Sequence, residues 1–327
     1  MPKWSLKTRL LQLRVSTCIC TILCLIAVIQ FFAAYGKYNY THMPAKVIET
    51  QLYKQITPKL PLQKTKPDCK YDEILKNEET LNPWDIPKTY NNFNANGVMN
   101  GSYVPEHCNP MFSVALLVTY RNRQKQLDIF LYYMHNFLRK QNIHYKIYLI
   151  EQQDENPWNK GILYNIGAKQ AINDKFPCLI LHDVDLLPLD LSNLYACTND
   201  PRHMSASIDK FRYVLTYDWL VGGVLAIKSD HYVAVNGFSN KFEGWGGEDD
   251  DFSERLSSHK LDVVRFPREM SRYTMMLHRQ EEKNSLRLSI MSNNRNLAGK
   301  EDGLSSLPYQ NTRLTNHRLF TLIAAKL

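Results

Sequence analysis

Four consecutive acids, Glu248-Asp249-Asp250-Asp251, follow Trp245-Gly246-Gly247 directly. Adjacent carboxylates repel one another, so a folded chain that gathers them offsets the repulsion with a cation, a helix N-terminus or a proton shared between two acids. The glycines permit backbone conformations closed to other residues and let a ligand approach closely. The indole of Trp245 offers a flat apolar face for the C–H side of a sugar ring. Together these residues suit chemistry on a carbohydrate. The plainer alternative is that Asp249, Asp250 and Asp251 only charge the first turn of a helix through Phe252, Glu254, Arg255 and Leu256.

A second acidic feature ends the apolar run Leu179-Ile180-Leu181-His182-Asp183-Val184-Asp185. The run is short enough for a buried strand, and the two-residue period turns Asp183 and Asp185 to one side at its C-terminal end. Ligands of open α/β sheets bind in the crevice beyond such ends. An Asp-x-Asp there suits a hard divalent cation and, through it, the two phosphates of a nucleotide. Met275 and His278, in Thr274-Met275-Met276-Leu277-His278, are spaced so that one turn could bring both to the same ion. With Asp185 they form an oxygen, sulfur and imidazole set suited to a borderline metal such as manganese.

These motifs resemble those of the beta-1,4-galactosyltransferase family of inverting, metal-dependent glycosyltransferases with the GT-A fold. The likeness runs from Cys69 to the C-terminus. It takes in Tyr120-Arg121-Asn122-Arg123, Pro201-Arg202-His203, Asp209-Lys210-Phe211, Val221-Gly222-Gly223, Asn236-Gly237-Phe238 and Asp302-Gly303-Leu304-Ser305-Ser306-Leu307, besides the acidic and Met-x-x-His motifs. The resemblance implies that Asp185, Met275 and His278 bind Mn2+, that Arg121 and Arg123 line the uridine and phosphate pocket, and that Asp183 sits beside the ribose or the metal's outer shell. Asp249 would be the general base toward an acceptor hydroxyl. Glu248 and Asp250 would orient acceptor and donor hydroxyls, Trp245 would stack on the sugar and move with a closing lid, and Gly222, Gly223 and Gly247 would line the substrate site.

Leu220 stands where galactose-transferring vertebrate members of that family carry tyrosine and invertebrate N-acetylgalactosaminyl-transferring members carry an aliphatic residue. Leucine leaves room for an acetamido group, which favours UDP-GalNAc over UDP-Gal as donor; the alternative is a core leucine on the strand through Val224, Leu225 and Ile227. The chain departs from the family at Trp158-Asn159-Lys160-Gly161, where Phe-Asn-Arg-Ala is usual. Lys160 keeps the charge without a bidentate fork, and Trp158 is either a pocket wall or, more simply, a hydrophobic staple at a helix start.

Positioning these groups requires a layered scaffold. Val114 to Val118, Lys146 to Ile150 and Cys178 to Leu181 read as strands, with helices over Gln124 to Arg139 and Lys160 to Ile172. This alternation predicts one α/β domain, residues 69–327, around a mostly parallel sheet. Ahead of it, residues 15–36 carry no charge and suffice for a membrane-spanning helix, preceded by Lys3, Lys7, Arg9 and Arg14. The positive-inside rule makes residues 1–14 a cytosolic tail and the span an uncleaved signal-anchor, since the apolar part of a cleaved signal runs to only about 7 to 15 residues. Residues 37–68, polar and rich in Lys, Thr and Pro, read as a stem.

Of the seven cysteines, Cys18, Cys20 and Cys24 fall inside the span, while Cys69, Cys108, Cys178 and Cys197 lie in the oxidising lumen. Three pairings are open to those four; the resemblance implies Cys69 with Cys108 and Cys178 with Cys197. Asn39-Tyr40-Thr41 and Asn100-Gly101-Ser102 are glycosylation sequons that a lumenal placement makes usable. The net charge of +8 is scattered, with no aromatic-interleaved basic stripe, so nucleic-acid binding is set aside.

The expected protein is a type II Golgi membrane glycosyltransferase moving GalNAc or Gal from a UDP-sugar to a terminal GlcNAc of a glycoprotein or glycolipid, in beta-1,4 linkage with inversion. The competing readings are a strict UDP-Gal enzyme, with xylose-type proteoglycan-linker acceptors included, and a non-catalytic, metal-dependent sugar-binding module.

Overall fold

The computed structural model describes residues 6–34, 39–58, 60, 62–84, 96–278, 282–295, 301–308 and 311–327. Lys3 in the expected tail and residues 35 and 36 of the expected anchor lie outside the described residues. The helices, in chain order, are α1 (Leu6–Ala34), α2 (Ile48–Gln51), α3 (Asp72–Leu75), α4 (Gln124–Arg139), α5 (Lys160–Asn173), α6 (Ser229–Ala234), α7 (Glu248–Ser258) and α8 (Arg287–Asn294). The strands are β1 (Ser102–Tyr103), β2 (Ser113–Tyr120), β3 (His144–Gln152), β4 (Cys178–Asp183), β5 (Leu186–Pro188), β6 (Arg202–His203), β7 (Ser207–Ile208), β8 (Val224–Lys228), β9 (Arg272–Met275), β10 (Asn311–Asn316) and β11 (Thr321–Lys326).

The fold is α/β, built on a mixed sheet ordered β10-β11-β3-β2-β4-β8-β6, with β1 on the end of β3. The strands legible in sequence form its parallel centre: β2 lies between β3 and β4, and β11 adds to β3 in parallel. Antiparallel neighbours flank this centre, with β8 on β4, β6 on β8 and β10 on β11. β6 and β8 run antiparallel because no crossover helix precedes them to return the chain to the starting edge, and β10 is joined to β11 as a hairpin. Every residue of β2 is buried, and the pleat divides them between two layers. Val114, Leu116 and Val118 face α4 through Phe130, Met134 and Phe137, while Ala115 and Leu117 face α5 through Ile162, Leu163 and Ile166.

Register aims the strand ends at one crevice. Thr119 pairs with Asp183 and Tyr120 with Glu151, so the chain leaves β2 at Arg121 beside the end of β4. Asp185 falls in the turn after β4, not on the strand as the period-two reading expects. A small second sheet, β5-β9-β7, completes the edge: Leu186 pairs with Met275, and Met276 N donates to Asp185 O at 2.8 Å.

The structure joins Cys69 to Cys108 and Cys178 to Cys197. Both sequon asparagines, Asn39 and Asn100, are exposed. An apolar stretch of α1, Arg14–Ala33, is long enough to cross a membrane and buries nothing against the domain. The stretch read as a stem is not a free spacer where it is described. Tyr40, Ile48 and Leu52 are buried against the domain, Met43 N donates to Arg265 O, Tyr53 N donates to Cys197 O, and Gln55 bridges to Phe112. Apolar residues too sparse to show a period along the chain find their partners across it.

Candidate functional site

One cleft, in two parts, opens above the C-terminal ends of β2 and β4. The first part is lined by Arg121, Arg123, Trp158, Lys160, Asp183, Asp185, Met275 and His278, and the second by Tyr217, Trp219, Leu220, Gly222, Gly223, Asp249 and Asp250. Trp245, Glu248, Lys160, Asp183 and Met275 line both and mark where they meet.

In the first part, His278 Nδ1 lies 2.6 Å and Arg123 Nη1 3.3 Å from Asp185 Oδ2. Burial opposes ionisation of Asp185, but the hydrogen bond and charge of His278, with help from Arg123, hold its pKa below the ordinary carboxylate value. Met275 enters the same space from β9. This carboxylate, thioether and imidazole set, with a second carboxylate at Asp183, could hold a divalent cation. Arg121 stacks over Trp158, its guanidinium 5.3 Å from the ring centroid, and donates to Asn156 O. Trp158 is thus a wall of the cleft, and it also packs against the core cluster that contains Leu163; the helix start is capped by Asn159, whose Oδ1 accepts from Ile162 N at 2.9 Å.

Lys160 has a role that sequence reasoning missed. Its ammonium lies 2.6 Å from Asp183 Oδ1 and 4.0 Å from Glu248 Oε1, tying β4 to α7. Burial works against the charge, yet Asp183, Tyr164 and Glu248 outweigh it and hold the pKa well above that of a free lysine. A lysine keeping charge at a position where the family resemblance implies arginine was the available signal.

In the second part, α7 begins at Gly247, whose φ of 98° is left-handed and whose added Cβ would stand 2.8 Å from Phe242 Cε1. The turn sends the four acids apart. Asp251 is buried and structural, accepting from Arg255 Nε at 2.9 Å and Asn294 Nδ2 at 2.9 Å. Glu248 Oε2 and Asp250 Oδ1 are buried without a hydrogen-bond partner among the described residues, the state expected of acceptors reserved for a ligand. Asp249 faces Gly222 so closely that a Cβ there would collide with its Oδ2. Burial first, then repulsion from Glu248 and Asp250, pushes the Asp249 carboxyl up to about 7.

Leu220 is not on β8, which starts at Val224. It sits in the preceding loop, on the cleft wall beside Gly222. Gly223 closes that loop, its carbonyl accepting from Asp183 N at 3.0 Å. Trp245 is held by backbone pairing with Lys283 and stands partly exposed over both parts of the cleft.

The described N-terminal region of glycosyl transferase group 7 matches residues 73–198, and the N-terminal domain of galactosyltransferase matches residues 202–279. Between them they contain every cleft residue named above. Human beta-1,4-galactosyltransferase 2 is 36% identical over 231 residues, 69% of this chain and 62% of that one. The hamster Cricetulus griseus beta-1,4-galactosyltransferase 4 is 37% identical over 229 residues, 69% of this chain and 67% of its own. The chain belongs to the beta-1,4-galactosyltransferase family. It spans about three fifths of the human relative's length. Among solved members of the family, Drosophila beta-1,4-galactosyltransferase 7, a variant in complex with manganese, UDP-Gal and xylobiose, superposes with a TM-score of 0.59 at 26% identity, over 66% of this chain and 94% of that one. The α/β scaffold is thus the GT-A scaffold of this family.

Proposed function

We propose that the protein transfers GalNAc or Gal from a UDP-sugar to the 4-hydroxyl of a terminal GlcNAc, inverting the anomeric centre. The observation that carries this reading is Asp249: a carboxylate with a pKa near neutrality, beside the sugar-lining Gly222, one step from an electropositive, metal-fitting pocket. Such a group ionises at working pH and still accepts a proton effectively. Asp249 takes the proton from the acceptor hydroxyl as that oxygen bonds to the anomeric carbon, and the bond from that carbon to the diphosphate breaks on the opposite face. Arg121 and Arg123 bind the departing phosphates through their guanidinium forks. Glu248 and Asp250 accept hydrogen bonds from sugar hydroxyls through the oxygens left unpaired, while Trp245 stacks on the ring. Mn2+ held by Asp185, Met275 and His278 would supply Lewis-acid stabilisation of the diphosphate. Their convergence with an ionisable Asp249 favours catalysis over passive sugar binding.

Leu220 on the cleft wall supports UDP-GalNAc as the donor, because its side chain leaves room for an acetamido group that tyrosine would fill. A strict UDP-Gal enzyme with a xylose-type acceptor is the second reading, favoured by the UDP-Gal and xylobiose bound to the Drosophila neighbour. Assays of wild type and Leu220→Tyr with both donors and both acceptors separate these. A shift of the tyrosine variant toward UDP-Gal supports the first reading; unchanged donor preference refutes the account from pocket volume. The apolar α1, the disulfides and the sequons support a single-pass Golgi membrane protein with its catalytic domain in the lumen. Asn39 and Asn100 are the proposed glycan acceptors.

A further inference from the structure

Arg265 is 6% exposed, and among the described residues it has no carboxylate within ion-pairing distance. Burying an uncompensated guanidinium is costly. The hydrogen bonds it makes instead all reach toward one loop. Nη2 donates to Asp218 O at 2.8 Å and to Leu220 O at 2.9 Å, and Nε donates to His203 Nδ1 at 3.2 Å. Because a guanidinium N–H can only donate, Nδ1 of the buried His203 must be the acceptor and the ring proton must sit on Nε2. That proton is donated to Gly222 O at 3.0 Å. One cation therefore fixes three carbonyls of the 218–222 loop, two directly and the third through an imidazole whose tautomer it dictates. Burial and the neighbouring Arg265 keep His203 neutral, with its pKa lowered to about 3, so the relay does not change over the working pH range.

The N-terminal segment closes the arrangement from behind. Met43 N donates to Arg265 O at 2.8 Å, and Tyr40 OH donates to Phe266 O at 3.0 Å. The ring of Tyr40 packs with Ala206 and Leu215, and Leu220 rests against this cluster. The residue on the cleft wall that selects the donor and the glycine that faces Asp249 are thus both held by residues outside the cleft.

We propose that Arg265 and His203, keyed by Tyr40 and Met43, are positioning residues that set Leu220 and Gly222 in register with Asp249. The inference rests on the reading that the 217–223 loop lines the sugar site. Its test uses the full-length protein in detergent and a readout independent of turnover, hydrogen–deuterium exchange of residues 217–223. Losing one charge-assisted hydrogen bond predicts that Arg265→Met raises exchange there by about tenfold, while residues 185–187 and 275–278 stay as in wild type. His203→Asn, which cannot reach Gly222 O, raises it similarly, and His203→Gln, which keeps a donor near the Nε2 position, stays close to wild type. Tyr40→Phe, which loses only the hydroxyl, raises it by about threefold.

In transfer assays Arg265→Met and His203→Asn lower kcat and flatten the UDP-GalNAc to UDP-Gal ratio, with UDP affinity in the presence of manganese held within about twofold of wild type. Unchanged exchange in 217–223, or a uniform rise across the domain with the donor ratio intact, overturns the inference and leaves these residues as ordinary packing. Should wild type transfer neither sugar, the functional reading fails, and the localised exchange still decides the positioning role.

Discussion

Asp249 carries the most exposed claim at the scale of single residues. Its pKa of about 7 arises from burial and from the neighbouring acids Glu248 and Asp250. Transfer, read as kcat/KM, is therefore expected to fall about tenfold per pH unit below about pH 7 as the base takes up a proton. A profile flat from pH 5.5 to 8 removes Asp249 from that role. The same shift has a sign for stability. A carboxyl whose folded pKa is raised contributes stability that is fully present below its unfolded value and is lost as pH rises through about 7. Asp249→Asn, neutral at every pH, is therefore expected to melt above wild type at pH 8 and to match it near pH 4, a comparison that differential scanning calorimetry makes directly. A lower melting temperature at pH 8 contradicts the crowding that the site is built on. The proposed base would thus be kept at a cost in stability, a common trade at active sites.

The elements that carry these residues were unevenly legible. The helix expected over Gln124 to Arg139 forms with those bounds because its apolar residues repeat at helical spacing and face one layer of the sheet. The strands at Val114, Lys146 and Cys178 were legible as apolar runs, since a central parallel strand is covered on both faces. The antiparallel β8 was legible as the strand through Val224, Leu225 and Ile227, but β9 was not, and it is the pairing of β9 with β5 that brings Met275 opposite Leu186 and beside Asp185. Asp185, Met275 and His278 were singled out from motif spacing and resemblance, but their meeting in one pocket is a property of that small sheet. Lys160, Arg265 and His203 left little trace because each acts through a partner between about 20 and 90 positions away. The turn into α7 is where an element-scale change should cost most. Gly247→Ala forces a left-handed residue with a side chain against Phe242, at about 1–2 kcal/mol for the conformation alone. Its expected outcome is a lower denaturation midpoint together with loss of transfer, because Glu248 and Asp249 leave from that turn. Full activity with unaltered stability refutes this account of the turn.

At the scale of the whole molecule, the apolar helix α1 is followed by a segment that packs on the α/β domain. Tyr40, Ile48 and Leu52 are buried on it, each contributing about 1.5–3 kcal/mol by transfer from water. A fragment starting at residue 39 is expected to keep the unfolding free energy of the α/β domain, while one starting at residue 58 loses at least about 3 kcal/mol, read from urea midpoints. Equal midpoints return the segment to the role of a spacer. The cleft itself joins two sets of side chains across Trp245 and Glu248: one end holds Arg121, Arg123, Asp185, Met275 and His278, for which we propose a metal and a diphosphate, and the other holds Asp249 and Asp250, for which we propose sugar hydroxyls. The most direct test of that union is transfer to a GlcNAc acceptor by the full-length protein, with UDP-GalNAc and UDP-Gal, with manganese or with chelator, for wild type and Asp249→Asn side by side. The account predicts a beta-linked disaccharide from wild type only when manganese is supplied, and at least about a hundredfold less from Asp249→Asn although that variant still binds UDP. Product formed at the wild-type rate by Asp249→Asn, or formed equally well in chelator, contradicts it.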